Sequence, residues 1–295
     1  MSSTPRRWLE VSVRSPSAGE QDALLAEGLV VLGGRAVEER DGWYTTHVPE
    51  PADVDGFVEQ TRVNLVELSG FGDVEVRTRW QEHEDWAETW KRGLAPRRIT
   101  GRLIVTPSWE EPETLQGDVV VVIDPGMAFG TAEHGTTRGC LRLLDRAPVE
   151  GARLLDVGAG SGILSITAAK LGAAEVIAVE GDALACEALS ENLERNDVTS
   201  RVTLRTGWAD VTSLAALAPR DGVVANIETG TLRPLIPGFR AALRPGGWLI
   251  LSGITREEWP EMCRDTEAVG FRLIEPDTDG DWMSGWFVRD APSAG

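Results

Sequence analysis

The sequence predicts an α/β chain in two parts, a small α+β unit followed by a larger domain built on a mostly parallel sheet. Three observations carry this prediction. From Gly101 onward, apolar runs of strand length alternate with helical patterns, as in a parallel sheet covered on both faces. Within that region Leu154-Leu155-Asp156-Val157-Gly158-Ala159-Gly160-Ser161-Gly162-Ile163-Leu164-Ser165, followed by Val176-Ile177-Ala178-Val179-Glu180, reads as strand, glycine turn, helix start and a second strand ending on a carboxylate. Residues 1 to about 80 read β-α-β-β-α-β, the order of a split ferredoxin-like unit.

Trp8 to Val13 alternates like a half-buried strand, and Ala18 to Leu29 places Leu24, Leu25 and Leu29 near helical spacing. Residues 36–39, the turn Asp41-Gly42 and Trp43 to Val48 give a hairpin signal. A second helical pattern follows from Val54 to Leu68, then a strand from Val74 to Trp80. No catalytic constellation falls in this stretch, so residues 1–80 read as a recognition or packing domain. Residues 81–95 read as a connector helix, with Trp86 and Trp90 four apart on one face and Pro96 as the stop. Residues 96–295 form the larger domain. Its expected strands are Arg102–Pro107, Val119–Ile123, Arg153–Val157, Val176–Glu180, Arg201–Arg205, Gly222–Asn226, Trp248–Leu251, Phe271–Ile274 and Met283–Val288. Its expected helices are Thr136–Leu144, Ile163–Leu171, Ala183–Asn196, Leu232–Leu243 and Glu257–Val269.

Bulk composition narrows the function. At 42% hydrophobic and 26% charged residues the chain should bury an ordinary globular core. Its longest aliphatic run, Val119 to Ile123, falls far short of the roughly 20 residues that span a bilayer, and no export signal follows Arg6-Arg7. A cytoplasmic protein without a membrane segment is expected. A net charge of −18 disfavours strong direct nucleic-acid binding and suits a cationic partner. The 3 cysteines and 3 histidines show no ligand spacing, so neither a disulfide framework nor a metal site is expected.

Glycine lets a backbone approach a nucleoside closely, and an acid at the end of the next strand can accept ribose hydroxyls. A dinucleotide site would want glycine at position 163, where the chain has Ile163. The shorter Gly-x-Gly-x-Gly form, with Asp156 two places ahead, resembles motif I of S-adenosylmethionine-dependent methyltransferases. A second dense signal, Asp124-Pro125-Gly126-Met127-Ala128-Phe129-Gly130-Thr131-Ala132-Glu133-His134-Gly135-Thr136-Thr137, is spaced like a phosphate loop but has Thr136 where lysine is required. It reads as a glycine-rich loop able to close over a small polar ligand, or as an ordinary capped loop. A third, Val223-Val224-Ala225-Asn226-Ile227-Glu228-Thr229, ends a strand where α/β sheets bind ligands, so Asn226 should face the pocket. Its amide oxygen can accept hydrogen bonds from an amine and aim the amine's lone pair at an electrophilic methyl group.

Together these segments, with Trp86-Ala87-Glu88-Thr89-Trp90-Lys91 and Pro96-Arg97-Arg98-Ile99, resemble the ribosomal protein L11 methyltransferase family over nearly the whole chain. The resemblance implies a Rossmann-like seven-stranded methyltransferase domain behind the ferredoxin-like one, S-adenosyl-L-methionine as methyl donor, and methylation of amino groups on a basic protein, ribosomal protein L11. It implies that Glu180 binds the ribose, Gly158 and Gly160 the donor's backbone-facing side, Thr137 its methionine portion, and Asn226 both donor and incoming amine as the catalytic residue. Phe129, Gly130, Thr131 and Asp156 complete the expected donor-binding set. The chain departs from the family pattern at Ala132, Glu133 and Gly135. At Glu228 it carries an acid where the family has leucine. Glu133 and Glu228 would add charge near the acceptor, which leaves open a small amine or another protein as substrate. A non-catalytic nucleoside-binding module is the remaining alternative.

Overall fold

The computed structural model describes residues 7–14, 29, 38–40, 42–49, 51, 53–69, 74–82, 95–124, 130 and 132–291. The chain divides into two compact units, Met1–Leu94 and Ala95–Gly295.

In the first unit, β1 (Arg7–Arg14), β2 (Glu38–Arg40), β3 (Trp43–Pro49) and β4 (Glu75–Glu82) form an antiparallel four-stranded sheet in the order β2-β3-β1-β4. This is the strand order that the split β-α-β-β-α-β reading requires. Alternation sends Leu9, Val11 and Val13 of β1 to one face, where they share a core with Val48, Val74 and Leu65 of α1 (Val54–Ser69). On the other face Ser12 and Thr45 share a hydrogen bond of 2.8 Å, and the guanidinium groups of Arg14 and Arg77 lie 4.7 and 4.2 Å from the Trp43 ring. Of the expected helix from Ala18 to Leu29 only Leu29 is described, and it is helical. The expected connector tryptophans, Trp86 and Trp90, lie outside the described residues.

The second unit opens with β5 (Arg97–Arg98), β6 (Leu103–Thr106) and β7 (Val119–Val122), which make a three-stranded sheet of their own. Periodicity finds β6 and β7 but does not say which sheet they join. The outer edge of β7 is met by a side chain: Asn196 accepts from the Val122 N–H at 2.9 Å and donates to the Val122 carbonyl at 2.6 Å. That asparagine lies just past the end of α4 (Ala183–Arg195), while Asn192 within the helix accepts from the Asp124 N–H at 3.2 Å.

The large sheet has seven strands in the order β10-β9-β8-β11-β12-β14-β13. They are β8 (Arg153–Val157), β9 (Glu175–Glu180), β10 (Val202–Thr206), β11 (Arg220–Asn226), β12 (Leu243–Thr255), β13 (Phe271–Asp279) and β14 (Trp282–Arg289). The first five run parallel, and β14 is antiparallel to both β12 and β13. Because both faces are covered, neighbouring residues enter opposite cores. Leu154, Val176, Ala178, Val224 and Ile250 pack on one side, and Leu155, Ile177, Val179, Val223 and Leu249 on the other. The first core includes Leu141 and Leu144 of α2 (Gly135–Arg146) and Ile166 of α3 (Ile163–Lys170). The second includes Phe239 of α6 (Thr229–Ala242) and Met262 of α7 (Trp259–Ala268).

Several details differ from the sequence reading: β5 was not expected, β12 and β13 outrun the expected Trp248–Leu251 and Phe271–Ile274, and two helices depart from it as well. A short helix, α5 (Val211–Ala215), has no counterpart in it. That helix is set by a capping box in which the Asp210 side chain accepts from the Ser213 N–H and the Ser213 hydroxyl accepts from the Asp210 N–H. Helix α6 also begins earlier than Leu232, because the Glu228 carbonyl accepts the N–H groups of Thr231 and Leu232 at 3.1 and 2.9 Å. Among the described residues no helix is long and apolar enough to cross a membrane.

Candidate active site

Strand order reverses between β8 and β11, since β8 continues outward to β9 while β11 continues the other way to β12. Loops leaving neighbouring strands in opposite directions open a crevice at their carboxyl ends. A cavity of about 610 Å³ occupies that place. Gly158 and Gly160 line it from the turn after β8, Glu180 and Asp182 from the end of β9, and Asn226, Ile227 and Glu228 from the end of β11.

The glycine turn is built for close approach. Gly158 has φ +72, and a Cβ there would overlap the Ile227 side chain. Its N–H and that of Ala159 both reach the Val179 carbonyl, at 3.0 and 3.1 Å, which fixes the turn against β9. Glu180 locks it further. One carboxylate oxygen accepts from Gly160 N–H at 2.8 Å, and the other from Gly181 and Asp182 N–H at 2.8 and 2.9 Å. The acid is therefore held by backbone on both sides and is only 8% exposed.

Asp156 lies beneath this turn. It is fully buried, takes a 2.6 Å hydrogen bond from the Ser165 hydroxyl on Oδ2, and has no partner on Oδ1 among the described residues. Burial pushes its carboxyl up to about 7. Asp156 does not itself line the cavity.

At the end of β11, Asn226 donates from Nδ2 to the Thr137 hydroxyl at 3.4 Å. Its Oδ1 is buried without a hydrogen-bond partner among the described residues, although the residue lines the cavity. An unpaired buried carbonyl costs free energy unless something donates to it, and so marks a place for a ligand. Thr137 is fully buried in α2, behind Asn226, and its neighbour Thr136 lines the cavity instead. Gly253 of β12 brings another backbone close. A Cβ on it would overlap the Ile227 carbonyl, so the glycine lets the segment after Asn226 lie against β12.

The loop before α2 supplies a wall. Gly130 accepts from the Ser161 hydroxyl at 2.5 Å, which ties that loop to the glycine turn, while Phe129 and Thr131 lie outside the described residues. His134 stands 4.9 Å from the Trp282 ring, shares a 2.7 Å hydrogen bond with the Thr136 hydroxyl, and has its pKa lowered by burial and then by Arg138. Arg138 braces this wall. It pairs with Asp279 at 2.5 Å and donates to the carbonyls of Ala132 and Glu133 at 3.3 and 2.5 Å. Glu133 itself is paired with Arg97 at 2.6 Å and is not part of the cavity lining.

Sequence reading missed several lining residues: His134, Asp182, Trp208, Gly253 and Trp282. Trp208 carried a usable signal, a large aromatic directly after a strand and a glycine. It is 80% exposed, and its ring covers Gly181 so closely that a Cβ there would overlap it.

With this geometry in view, the comparisons with known proteins are decisive. The model of the ribosomal protein L11 methyltransferase (PrmA) family matches residues 32–289. The chain belongs to the ribosomal protein L11 methyltransferase family. It is 37% identical to the ribosomal protein L11 methyltransferase of Pelotomaculum thermopropionicum, over 94% of this chain and 97% of that one. Its identity to the protein of the same name from Symbiobacterium thermophilum is 38%, over 84% and 88% of the two chains. A crystal structure of ribosomal protein L11 methylase from Lactobacillus delbrueckii subsp. bulgaricus superposes with a TM-score of 0.60 at 30% identity, covering 66% of this chain and 99% of that one. The cavity at the β8/β11 reversal brings together a backbone turn, an acid and an asparagine whose amide oxygen is unpaired among the described residues.

Proposed function

We propose that this protein transfers methyl groups from S-adenosyl-L-methionine to amino groups of ribosomal protein L11, acting as a cytoplasmic protein-lysine N-methyltransferase. The observation that carries this reading is the buried Oδ1 of Asn226, unpartnered among the described residues, in a residue that lines the cavity.

The residues present fit the donor. A cavity of about 610 Å³ lies within the range of small-molecule sites, and it offers the glycine turn on one side and an acid on another. When bound, S-adenosyl-L-methionine supplies a methyl group already activated by a positively charged sulfur. Gly158 and Gly160 allow its close approach to the backbone. Glu180 has about four lone-pair positions on its carboxylate, and three are taken by N–H groups, so one remains for a ribose hydroxyl. The outer face of Trp208 offers a flat surface for the base. Asn226 accepts an N–H of the incoming amine on Oδ1 and so orients the nitrogen lone pair, while Thr137 holds the amide from behind. Alignment and exclusion of water are the main demands on the protein, because the leaving group needs no protonation.

We assign substrate recognition to residues 1–80, a connector to 81–95 and catalysis to 96–295. The net charge of −18 supports a basic protein partner rather than nucleic acid. Incubation with labelled donor and the ribosomal proteins of the same source tests the reading. Label should appear on lysines of ribosomal protein L11 by mass spectrometry; donor consumption directed to another protein or to a small amine would favour the second reading, which Glu228 in the cavity wall supports. Donor that binds but is never consumed would leave only a nucleoside-binding module.

A further inference from the structure

The departure at Glu228 lies inside the cavity, whereas that at Glu133 does not. Glu228 follows Asn226 by two residues, so their Cα atoms are at most about 7 Å apart. Its carbonyl fixes the start of α6, while its side chain makes no cap to the helix. One carboxylate oxygen accepts from the Thr231 hydroxyl at 3.0 Å, and the other has no partner among the described residues. The residue is exposed, so its carboxylate stays hydrated until a ligand arrives.

Three carboxylates line the cavity, and their engagements differ. Glu180 is held by three N–H groups, and Asp182 caps α4 by accepting from Leu184 and Ala185. Glu228 alone of the three is free of backbone donors to its side chain. Among the described residues no lysine or arginine lines the cavity to balance them. An independent observation, the Oδ1 of the 8%-exposed Asn226, unpaired among the described residues, marks the same wall as a place for a hydrogen-bond donor.

We propose, on the reading given above, that Glu228 is the specificity residue that recognises the acceptor amine in its charged ammonium form and hands it to Asn226. At this point of the cavity wall the chain places a charge that prefers a cationic acceptor over a neutral one. Water beside the exposed carboxylate then carries off the ammonium proton, and Asn226 keeps the neutral amine. An adjacent carboxylate favours the charged amine, so its benefit falls on binding and not on the chemical step.

Steady-state methyl transfer to ribosomal protein L11 by the full chain tests this. For Glu228→Gln the KM for the protein acceptor should rise about fivefold, the scale of a solvated ion pair, while kcat does not fall. The wild-type KM should climb more steeply with added salt than the variant's, because one screened charge fewer faces the acceptor in the variant. Glu228→Asp should recover part of the lost affinity. A Glu228→Gln variant with wild-type KM and wild-type salt dependence overturns the proposal, as does a fall in kcat with KM unchanged. If the wild-type chain moves no methyl group to ribosomal protein L11, the functional reading itself fails and this inference falls with it.

Discussion

The backbone N–H of Gly160 donates to Oε2 of Glu180 at 2.8 Å, which joins the glycine turn after β8 to the end of β9. The acid therefore has a structural task before any ligand arrives. Glu180→Gln should be nearly as damaging as Glu180→Ala, because its amide NH₂ must face an N–H on one side or the other. Each group left unpaired costs about 1–3 kcal/mol, so donor affinity by titration calorimetry should fall about 10- to 100-fold. A Glu180→Gln protein with wild-type affinity would remove the acid from the donor site.

For Asn226→Ala, donor affinity should be largely kept while single-turnover methyl transfer drops by about a hundredfold or more, the scale of lost alignment. The separation of the two readouts is the point. Unchanged turnover would rule out Asn226 as the group that aims the amine.

Gly253→Ala should act on the same residue from a distance. The added methyl meets the Ile227 carbonyl, and φ +86 disfavours any side chain there. A destabilisation of about 1–3 kcal/mol is expected by denaturant unfolding, with slower turnover because the segment carrying Asn226 must shift. Wild-type stability and turnover would show that β12 can yield without consequence.

Asp156 makes stability depend on pH. Its carboxyl is raised from the ordinary 3.8 to about 7 by burial, so between those values the folded chain binds a proton that the unfolded chain has released. Stability from this group is thus lost as pH rises from 3.8 to about 7, and the penalty is full above that. Asp156→Asn removes the charge and keeps the shape. The Tm of the variant minus that of the wild type should become more positive across this window, by scanning calorimetry; a difference that does not change with pH would mean that Asp156 is already ionised at low cost.

Asp279 has the opposite sign. The Arg138 guanidinium, with Arg142 beside it, holds its carboxyl down at about 2, so its contribution is present at neutral pH and is lost only as the medium falls from 3.8 toward 2. Asp279→Asn should cost about 2 kcal/mol at pH 7 and much less at pH 2. It should also raise the donor KM, because Arg138 would hold the carbonyls of Ala132 and Glu133 less firmly beside His134.

Much of this architecture was legible in the sequence, for local reasons. The strand from Arg153 to Val157 and the helix from Ile163 are bounded by glycines, and the two-sided burial of Val176 to Glu180 reads as a continuous apolar run ending on an acid. Asn226 was legible because it follows such a run directly. Pairing between distant segments was not. β6 and β7 have the pattern of core strands, but only the fold shows that they form a separate sheet with Arg97 and Arg98. His134 and Trp282 meet through the approach of β14 to α2, a contact across more than a hundred residues that no periodicity encodes. Thr137 and Asp156 stand in the motifs that resemble the family, yet both are buried behind the groups that face the cavity.

The side-chain amide of Asn196 does for Val122 what a neighbouring strand would do, filling both its N–H and its carbonyl. An unfinished sheet margin invites a second molecule to add its own backbone there, the first step toward intermolecular aggregation. By closing that rung with one residue, the chain leaves less of the margin of its smallest described sheet open to an added strand.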